Sequence, residues 1–165
     1  MLLRRVGILV FCSIVYSQSW SAAASPSMQD ASHRLYDRVM SEFKHRDYDA
    51  ALAGFRLFIE LHSQSDLAAN AQYWIGECHY RRGRYRAALK SFSEVLANYP
   101  LSQKLPASTL KLGQIYTKLG DQDTARMMFD RVMDQYPDSS EAELARKAVD
   151  AMFPSESEPT TPSPE

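Results

Sequence analysis

The sequence predicts an all-α protein: a short α-solenoid made of three helix pairs and a C-terminal capping helix. One observation is a repeat, because Phe55, Phe92 and Phe129 follow one another at a spacing of 37 residues. Each is preceded four positions earlier by an alanine, and these are Ala51, Ala88 and Ala125. The second observation is that apolar residues between these marks recur at intervals of three and four, the period of an amphipathic helix. Matched residue classes at one spacing indicate stacked copies of a helical hairpin.

The first repeat, residues 31–66, is the least regular copy. Arg46 stands where the later copies have a turn glycine, and Ser63 stands where they have proline. A terminal repeat of a stacked array is expected to be atypical because one of its faces meets solvent. Its two helices are marked by Leu35, Val39 and Phe43, and by Tyr48, Ala51, Leu52, Phe55, Phe58 and Ile59.

The second repeat, residues 67–103, is delimited by glycine and proline. A first helix over 66–82 ends at Gly83, which can adopt the left-handed backbone that closes a helix. A second helix over 84–98 then runs to Pro100. The turn residue between two apolar stripes predicts a helical hairpin.

The third repeat, residues 104–139, follows the same plan. Gly120 marks its turn, and Asp121 is the predicted N-cap of its second helix. The segment Ser140–Glu143 fits a capping box, in which a serine and an acid three residues later bond to each other's backbone N–H groups. It predicts a last helix, 140–153, that covers the exposed end of the third repeat.

The two ends of the chain differ in composition from the repeats. Residues 1–24 combine Arg4 and Arg5 with an apolar stretch and a run of small residues, the pattern of a cleaved secretory signal. Residues 25–30 form a flexible lead-in, and the acidic, proline-rich residues 154–165 are expected to be disordered because they have no apolar side chains to bury. We therefore expect an exported, periplasmic protein without a membrane segment once the signal is removed. The formal charge of -1 gives no indication of nucleic-acid binding.

The second repeat carries the residues of a known family. The string from Ala71 to Glu77, followed at fixed spacing by tyrosine, glycine, alanine and phenylalanine, resembles the tetratricopeptide repeat. The Tyr-Trp-Ile-Gly-Glu segment, the 37-residue spacing and the Tyr-Pro-x-Ser joints at Tyr99 and Tyr136 are similar, more narrowly, to the C-terminal domain of the YbgF/CpoB family of the Tol-Pal system. This similarity extends from about Leu35 to Met152.

The resemblance implies a non-enzymatic periplasmic adaptor. Members of that family bind TolA and couple constriction of the outer membrane to peptidoglycan synthesis at division. The segment 25–35 leaves no room for the N-terminal coiled coil that trimerises them. Two other interpretations stay open. One is a structural or assembly subunit of an envelope or secretion complex, similar to the repeat scaffold BamD, and the other is an accessory that presents substrate to a hydrolase.

The predicted partner-binding residues lie on the first helix of each pair. In arrays of this kind that helix lines a concave groove, and residues four, seven and eight positions apart face it. We expect the groove to be aromatic at one end. The alternative is that some rings pack between repeats, as we predict for Trp74. The residues are Tyr36, Met40, Phe43 and Lys44 in the first copy, Tyr73, Glu77, Tyr80 and Arg81 in the second, and Leu110, Gln114, Thr117 and Lys118 in the third.

Basic residues cluster around the second turn. They form either a patch for an acidic partner segment or a solvated turn balanced by acids such as Glu77 and Glu94. The cluster consists of Arg81, Arg82, Arg84, Arg86 and Lys90.

Cys78 and His79 are predicted to be packing residues. Consecutive helical residues point about 100° apart and cannot chelate one ion together. Their equivalents in the third copy are Ile115 and Tyr116, which are apolar or aromatic. The remaining histidines share no ligand spacing, and we find no carboxylate pair, phosphate loop or nucleophile elbow. The sequence therefore predicts no enzyme, no cofactor and no metal site.

Overall fold

A computed structural model of the protein describes residues 27–153, and these residues form seven α-helices. The helices pair as three hairpins followed by a single last helix, so the predicted all-α solenoid is confirmed. The predicted signal peptide and the predicted C-terminal tail lie outside the described residues. The helices are α1 (Met28–Lys44), α2 (Tyr48–Leu61), α3 (Ala68–Arg81), α4 (Tyr85–Asn98), α5 (Leu105–Leu119), α6 (Gln122–Gln135) and α7 (Ser140–Met152).

The helices form two layers, because each hairpin packs against the next one along the chain. The first helices of the pairs touch directly: the Phe43 and Trp74 rings join α1 to α3, and Lys111 and Glu77 join α5 to α3. Helix α7 packs against both α5 and α6. The second helices α2, α4 and α6 make the other layer. Three clusters of buried side chains fill the space between the layers.

The three hairpin turns share one backbone geometry. Gly83 and Gly120 adopt the predicted left-handed conformation, with φ of +68° and +83°. Arg46 adopts it as well, with φ of +64°, although it carries a side chain. In each turn the N–H of the following residue donates to the carbonyl five positions back, at 3.0 Å from Asp47 to Glu42 in the first copy. The first repeat therefore keeps the turn without the glycine, at a cost of about 1–2 kcal/mol for the left-handed backbone.

The helix ends agree with the predictions in most places and differ in two. Asp121 is the N-cap of α6, as predicted, and its carboxylate accepts a hydrogen bond from the Thr124 N–H at 3.1 Å. Helix α7 is capped by Ser139 and not by the predicted Ser140, since the Ser139 hydroxyl is the group that accepts from the Ala142 N–H.

The second difference is the start of α1. This helix begins at Met28, within the predicted lead-in 25–30. Ser27 and Asp30 bond to each other's backbone N–H groups at 3.1 Å, which is a capping box. Because these N–H groups are hydrogen-bonded, the helix begins before Leu35, the first apolar residue that marks it in the sequence.

Each hairpin is closed by a large side chain packed against a glycine. A Cβ atom added to Gly76 would lie 2.7 Å from the Phe92 ring, and one added to Gly113 would lie 2.6 Å from the Phe129 ring. Both rings are buried. Only a residue without a side chain allows the helix backbone to approach a ring this closely, so these two hairpins depend on glycine at these positions.

The first hairpin reverses this arrangement. Val39 occupies the position of Gly76 and Gly113, and Gly54, on the opposite helix, lies against it. A Cβ atom on Gly54 would come 2.5 Å from Val39 Cγ2. Helix α1 therefore has a branched side chain where the other copies have glycine, and α2 has glycine where they have Ser91 and Met128. Phe55 is buried as Phe92 and Phe129 are, so the missing side chain of Gly54 makes room for Val39.

We expect Gly113→Ala to lower the free energy of unfolding. Overpacking a buried site costs about 1–3 kcal/mol, which exceeds the gain of about 1 kcal/mol in helix propensity. Urea denaturation measures the difference, and the exposed substitution Ser93→Ala serves as the control. Adding Phe129→Leu to Gly113→Ala should cost less than the two single changes together. Equal stability of Gly113→Ala and the native chain would contradict the packing argument.

Candidate protein-binding face

The first helices α1, α3 and α5 present one continuous surface, here called the first-helix face. Its aromatic end is a chain of ring contacts across the first two repeats. The Phe43 ring lies 4.8 Å from Trp74, the Trp74 ring 5.5 Å from Tyr73, and the Tyr73 ring 5.3 Å from Phe92. Trp74 therefore packs against the first repeat, as predicted. These contacts join the four rings into one continuous aromatic cluster.

The predicted residues of the first copy are partly buried. The Tyr36 ring contacts Phe55 and Phe58 edge-on at 5.8 and 5.6 Å. Burial raises the pKa of its hydroxyl to about 12, because the charged phenolate is poorly solvated there. Met40 and Phe43 pack against the same buried cluster. These three side chains thus both support the first repeat and line the face.

Glu77 is buried at the joint between the second and third repeats. Lys111 Nζ lies 2.7 Å from Glu77 Oε1, and Arg81 Nε lies 3.6 Å from Oε2. The Lys111 contact is an ion pair whose angles fall outside hydrogen-bond geometry. The Glu77 side chain is only 4 % exposed, whereas that of Arg81 is 54 % exposed. The structure therefore gives the Glu77 carboxylate partners inside the protein, and Arg81 is the member of this group that reaches solvent.

Two lysines of α5 and its preceding turn lie over tyrosine rings of α3. Lys111 Nζ is 4.9 Å from the centre of the Tyr80 ring, and Lys104 Nζ is 5.2 Å from that of Tyr73. Burial raises the pKa of both tyrosine hydroxyls, and the negative charge of Glu77 adds to the effect. Both tyrosines are therefore neutral hydrogen-bonding groups near neutral pH.

The charged rim of the face consists of one base from each repeat. Lys44, Arg81 and Lys118 stand at matching positions, and all three side chains are exposed. Gln114 is half-buried beside them on α5. Asp47 and Asp121, at two of the turns, accept hydrogen bonds as helix N-caps. The rim therefore carries one exposed base from each repeat, on a chain with a formal charge of -1.

Lys111 and Lys104 were missed by reasoning from the sequence. Lys111 stands 37 residues after Trp74, which the sequence placed against the preceding repeat. The same register would have placed Lys111 against Glu77 and Tyr80. The repeat register therefore contained this information, but lysine is not an obvious packing residue. The buried carboxylate of Glu77 explains why a lysine lies there.

The basic cluster at the second turn is partly balanced by acids. Arg82 pairs with Asp49 of the first repeat, Arg81 with Glu77, and Lys90 with Glu94 at 3.9 Å. Arg84 and Arg86 are exposed. Three of the five basic residues therefore fit the interpretation of a solvated turn whose charges are balanced by nearby acids.

Cys78 and His79 are both buried on α3, so the expectation that they are packing positions agrees with their placement. Cys78 belongs to the first buried cluster. Residues 27–153 hold no group of three or more His, Cys, Asp and Glu side chains arranged to bind a metal ion. Within that same range, no helix is sufficiently long and apolar to cross a membrane.

Stacked helical hairpins with a partly buried aromatic face and a rim of exposed bases define a repeat protein of the kind that binds other proteins. Two family models, both described as tetratricopeptide repeat, match residues 36–103 and 107–139, which together make up more than half of the chain. The chain therefore belongs to the tetratricopeptide repeat family. Proteins with this fold are generally adaptors and not enzymes.

A curated relative confirms the narrower resemblance. The chain is 35% identical over 63 residues to the cell division coordinator CpoB of Pseudomonas putida. The match covers 38% of this chain and 24% of that protein, so the chain spans about a quarter of the length of the curated relatives it matches. The similarity is one of the repeat domain.

Solved structures share the fold at low identity. The type III secretion translocator chaperone SycD of Yersinia enterocolitica has a TM-score of 0.65 and 16% identity, covering 74% of this chain and 90% of that one. PcrH of Pseudomonas aeruginosa, in complex with the chaperone binding region of PopB, has a TM-score of 0.61 and 21% identity, covering 74% of this chain and 94% of that one. At these identities the likeness concerns the fold alone.

We expect Cys78 to be unreactive in the folded protein. Burial, together with the nearby charge of Glu77, raises the pKa of its thiol to about 12, so almost no thiolate exists at pH 8. Iodoacetamide should modify the peptide containing Cys78 only at the rate of unfolding, as followed by mass spectrometry. The urea-denatured chain is the control and should react at once. Rapid modification of the native chain at pH 8 would show that the thiol is accessible.

We expect that breaking the Glu77–Lys111 pair lowers the free energy of unfolding, whereas replacing both residues with apolar ones changes it little. Lys111→Met leaves a buried carboxylate without its closest partner, and we expect a loss of about 3 kcal/mol in the free energy of unfolding. The double substitution Glu77→Met and Lys111→Trp installs the residue types that Met40 and Trp74 supply at the first joint. It should recover most or all of the native stability.

Chemical denaturation of the double variant, of Glu77→Met and of Lys111→Trp gives a double-mutant cycle, and Lys111→Met is measured beside it. The exposed substitution Lys118→Met is the control and should leave stability within about 0.5 kcal/mol of the native value. A double variant less stable than Lys111→Met alone would mean that the second joint requires its charges.

Proposed function

We propose that this chain is a periplasmic adaptor that binds a protein partner along its first-helix face and acts with the Tol-Pal system in cell division. The family supports protein binding, and the similarity to CpoB supports the link to division. The predicted secretory signal at 1–24 supports the location. The partner best supported by this resemblance is TolA or a similar envelope protein.

The observation that supports the proposal is that apolar and polar side chains occupy separate parts of the first-helix face. Tyr36, Met40, Phe43 and Tyr73 form a partly buried apolar floor. Tyr80 and Gln114 lie beside it with polar groups available for hydrogen bonds. A floor of rigid rings supplies contact area at a low entropic cost, which suits the binding of a peptide or a partner helix.

The charge of the face supports an acidic partner segment. Glu77 is the acid on the floor, and its charge is balanced by Lys111. The exposed bases Lys44, Arg81 and Lys118 then contribute a row of positive charge along the rim. Exposed charges of this kind guide association and orientation more than they add affinity. Glu77 acts in this proposal by holding Lys111 and Arg81 in place.

The alternative of a structural or assembly subunit has less support. SycD is described as a chaperone, and PcrH was solved with a bound chaperone binding region, so the structures with this fold engage separate partner proteins. No observation on the described residues favours a permanent assembly over a partner that binds and leaves.

The test is binding of the periplasmic portion of TolA to the purified protein. We expect the combined substitutions Lys44→Gln, Arg81→Gln and Lys118→Gln to raise the Kd about tenfold, since three exposed contacts of about 0.5 kcal/mol each are lost. The matched control removes three exposed bases outside this row, with Arg86→Gln, Arg131→Gln and Arg146→Gln, and should change the Kd less than about twofold.

The outcomes separate the parts of the proposal. If the native protein does not bind TolA, the association with the Tol-Pal system is wrong. If it binds and the two triple variants weaken binding equally, the assignment to the first-helix face is wrong. Circular dichroism of all variants checks that helical content is unchanged.

A further inference from the structure

A cleft separate from the first-helix face lies in the opposite layer of the protein. The cleft, of about 380 Å³, opens between the second helices α2 and α4, and α3 forms its floor. This α2–α4 cleft is bordered by Arg56 of α2, by Gln72 and His79 of α3, and by Lys90, Ser91 and Glu94 of α4. None of these residues belongs to the first-helix face. The volume falls within the range of sites that take small ligands or single side chains.

The second and third repeats differ at several positions around this cleft, among them Ser91, whose third-repeat equivalent is Met128. Tyr116 is the third-repeat equivalent of His79, and its ring packs against two of the buried clusters. The imidazole of His79 is smaller than a phenol ring. The corresponding space in the second repeat is therefore left open and lined by polar atoms.

Most polar groups of the α2–α4 cleft already have partners. Gln72 Nε2 donates to the Ser91 carbonyl at 3.1 Å and to Glu94 Oε2 at 2.8 Å. The Ser91 hydroxyl donates to the Ala87 carbonyl at 3.1 Å. Glu94 Oε1 lies 3.9 Å from Lys90 Nζ, so the charge of the one acid in the cleft is offset.

Two groups remain without partners. His79 is only 6 % exposed, and its Nδ1 has no hydrogen-bond partner within residues 27–153. Arg56 is exposed at the mouth and takes part in no ion pair within that range. Burial lowers the pKa of His79, and the positive charges of Arg56 and Arg84 lower it further. The cleft therefore combines uncompensated positive charge with a neutral imidazole that can donate one hydrogen bond.

We propose that the α2–α4 cleft binds a carboxylate group, with Arg56 pairing with its charge and His79 donating a hydrogen bond to it. A carboxylate accepts on both oxygens and is the group that an arginine fork recognises best. The hydrogen bond from Gln72 to Glu94 joins the floor of the cleft on α3 to its wall on α4. The site is separate from the first-helix face, so the protein carries two binding surfaces on opposite layers.

The experiment is a titration of the full isotope-labelled protein followed by NMR. Succinate is the free carboxylate, and N-acetylglutamate methylamide represents an acidic side chain of a protein. We expect both to shift the imidazole signals of His79 and the amides of Ser91 and Ile75 in a saturable way. Succinamide and sodium chloride of equal ionic strength should produce no saturable shift.

Two variants test the residues. His79→Tyr fills the cleft as Tyr116 fills its counterpart, and Arg56→Gln removes the charge from an exposed position without touching the core. Both should abolish saturation, while the exposed Arg131→Gln should bind as the native protein does. Tighter binding of the glutamate compound than of succinate assigns the site to a protein side chain, and the reverse order assigns it to a free acid.

The absence of saturable shifts for both compounds in the native protein would overturn the proposal. The same conclusion follows if Arg56→Gln binds both compounds as well as the native chain does. Because TolA binding is measured on the other layer, failure of this site leaves the adaptor proposal standing.

Discussion

The contact of a phenylalanine ring with the bare backbone of a facing glycine determines the spacing within each hairpin of the second and third repeats. Gly76 with Phe92 and Gly113 with Phe129 allow the two helices of each hairpin to approach so closely that an added Cβ atom would collide with the ring. In the first hairpin the close approach is between Val39 and Gly54, so the glycine lies on the second helix instead of the first. Each hairpin packs against the next one, and residues 37 positions apart occupy equivalent places along the array.

That equivalence explains how much of the structure follows from the sequence. Every helix pair, the left-handed turns at Gly83 and Gly120, and the packing of Trp74 against the first repeat could be predicted, since each depends on local pattern and on the repeat itself. The exact caps of α1 and α7 could not. Ser139 and Ser140 are chemically alike, and the choice between them depends on which hydroxyl reaches the Ala142 N–H.

Interactions across the joints were harder to foresee because they depend on pairs of residues. At the first joint Met40, Phe43 and Trp74 make an apolar contact. At the second joint, the equivalent residues are Glu77, Tyr80 and Lys111, and they make an ion pair and a cation–π contact instead. Glu77 looked like a binding residue from its register alone. Its burial became evident only when its partner on the next repeat was known. His79 illustrates the converse, since its buried environment was predicted but the open space beside it was not.

In the described part of the chain, each helix packs mainly against its immediate neighbours in sequence, with smaller contacts between α1 and α3, α3 and α5, and α5 and α7. A nascent polypeptide with this topology closes only short loops, so native contacts can form in the order in which the segments become available. Phe55 and Phe58 of the α1–α2 hairpin lie in a buried cluster that α3, the next helix along the chain, completes with Ala71, Ile75 and Cys78. A chain delivered from its amino end could therefore begin to fold vectorially, adding one hairpin at a time to a growing structured template.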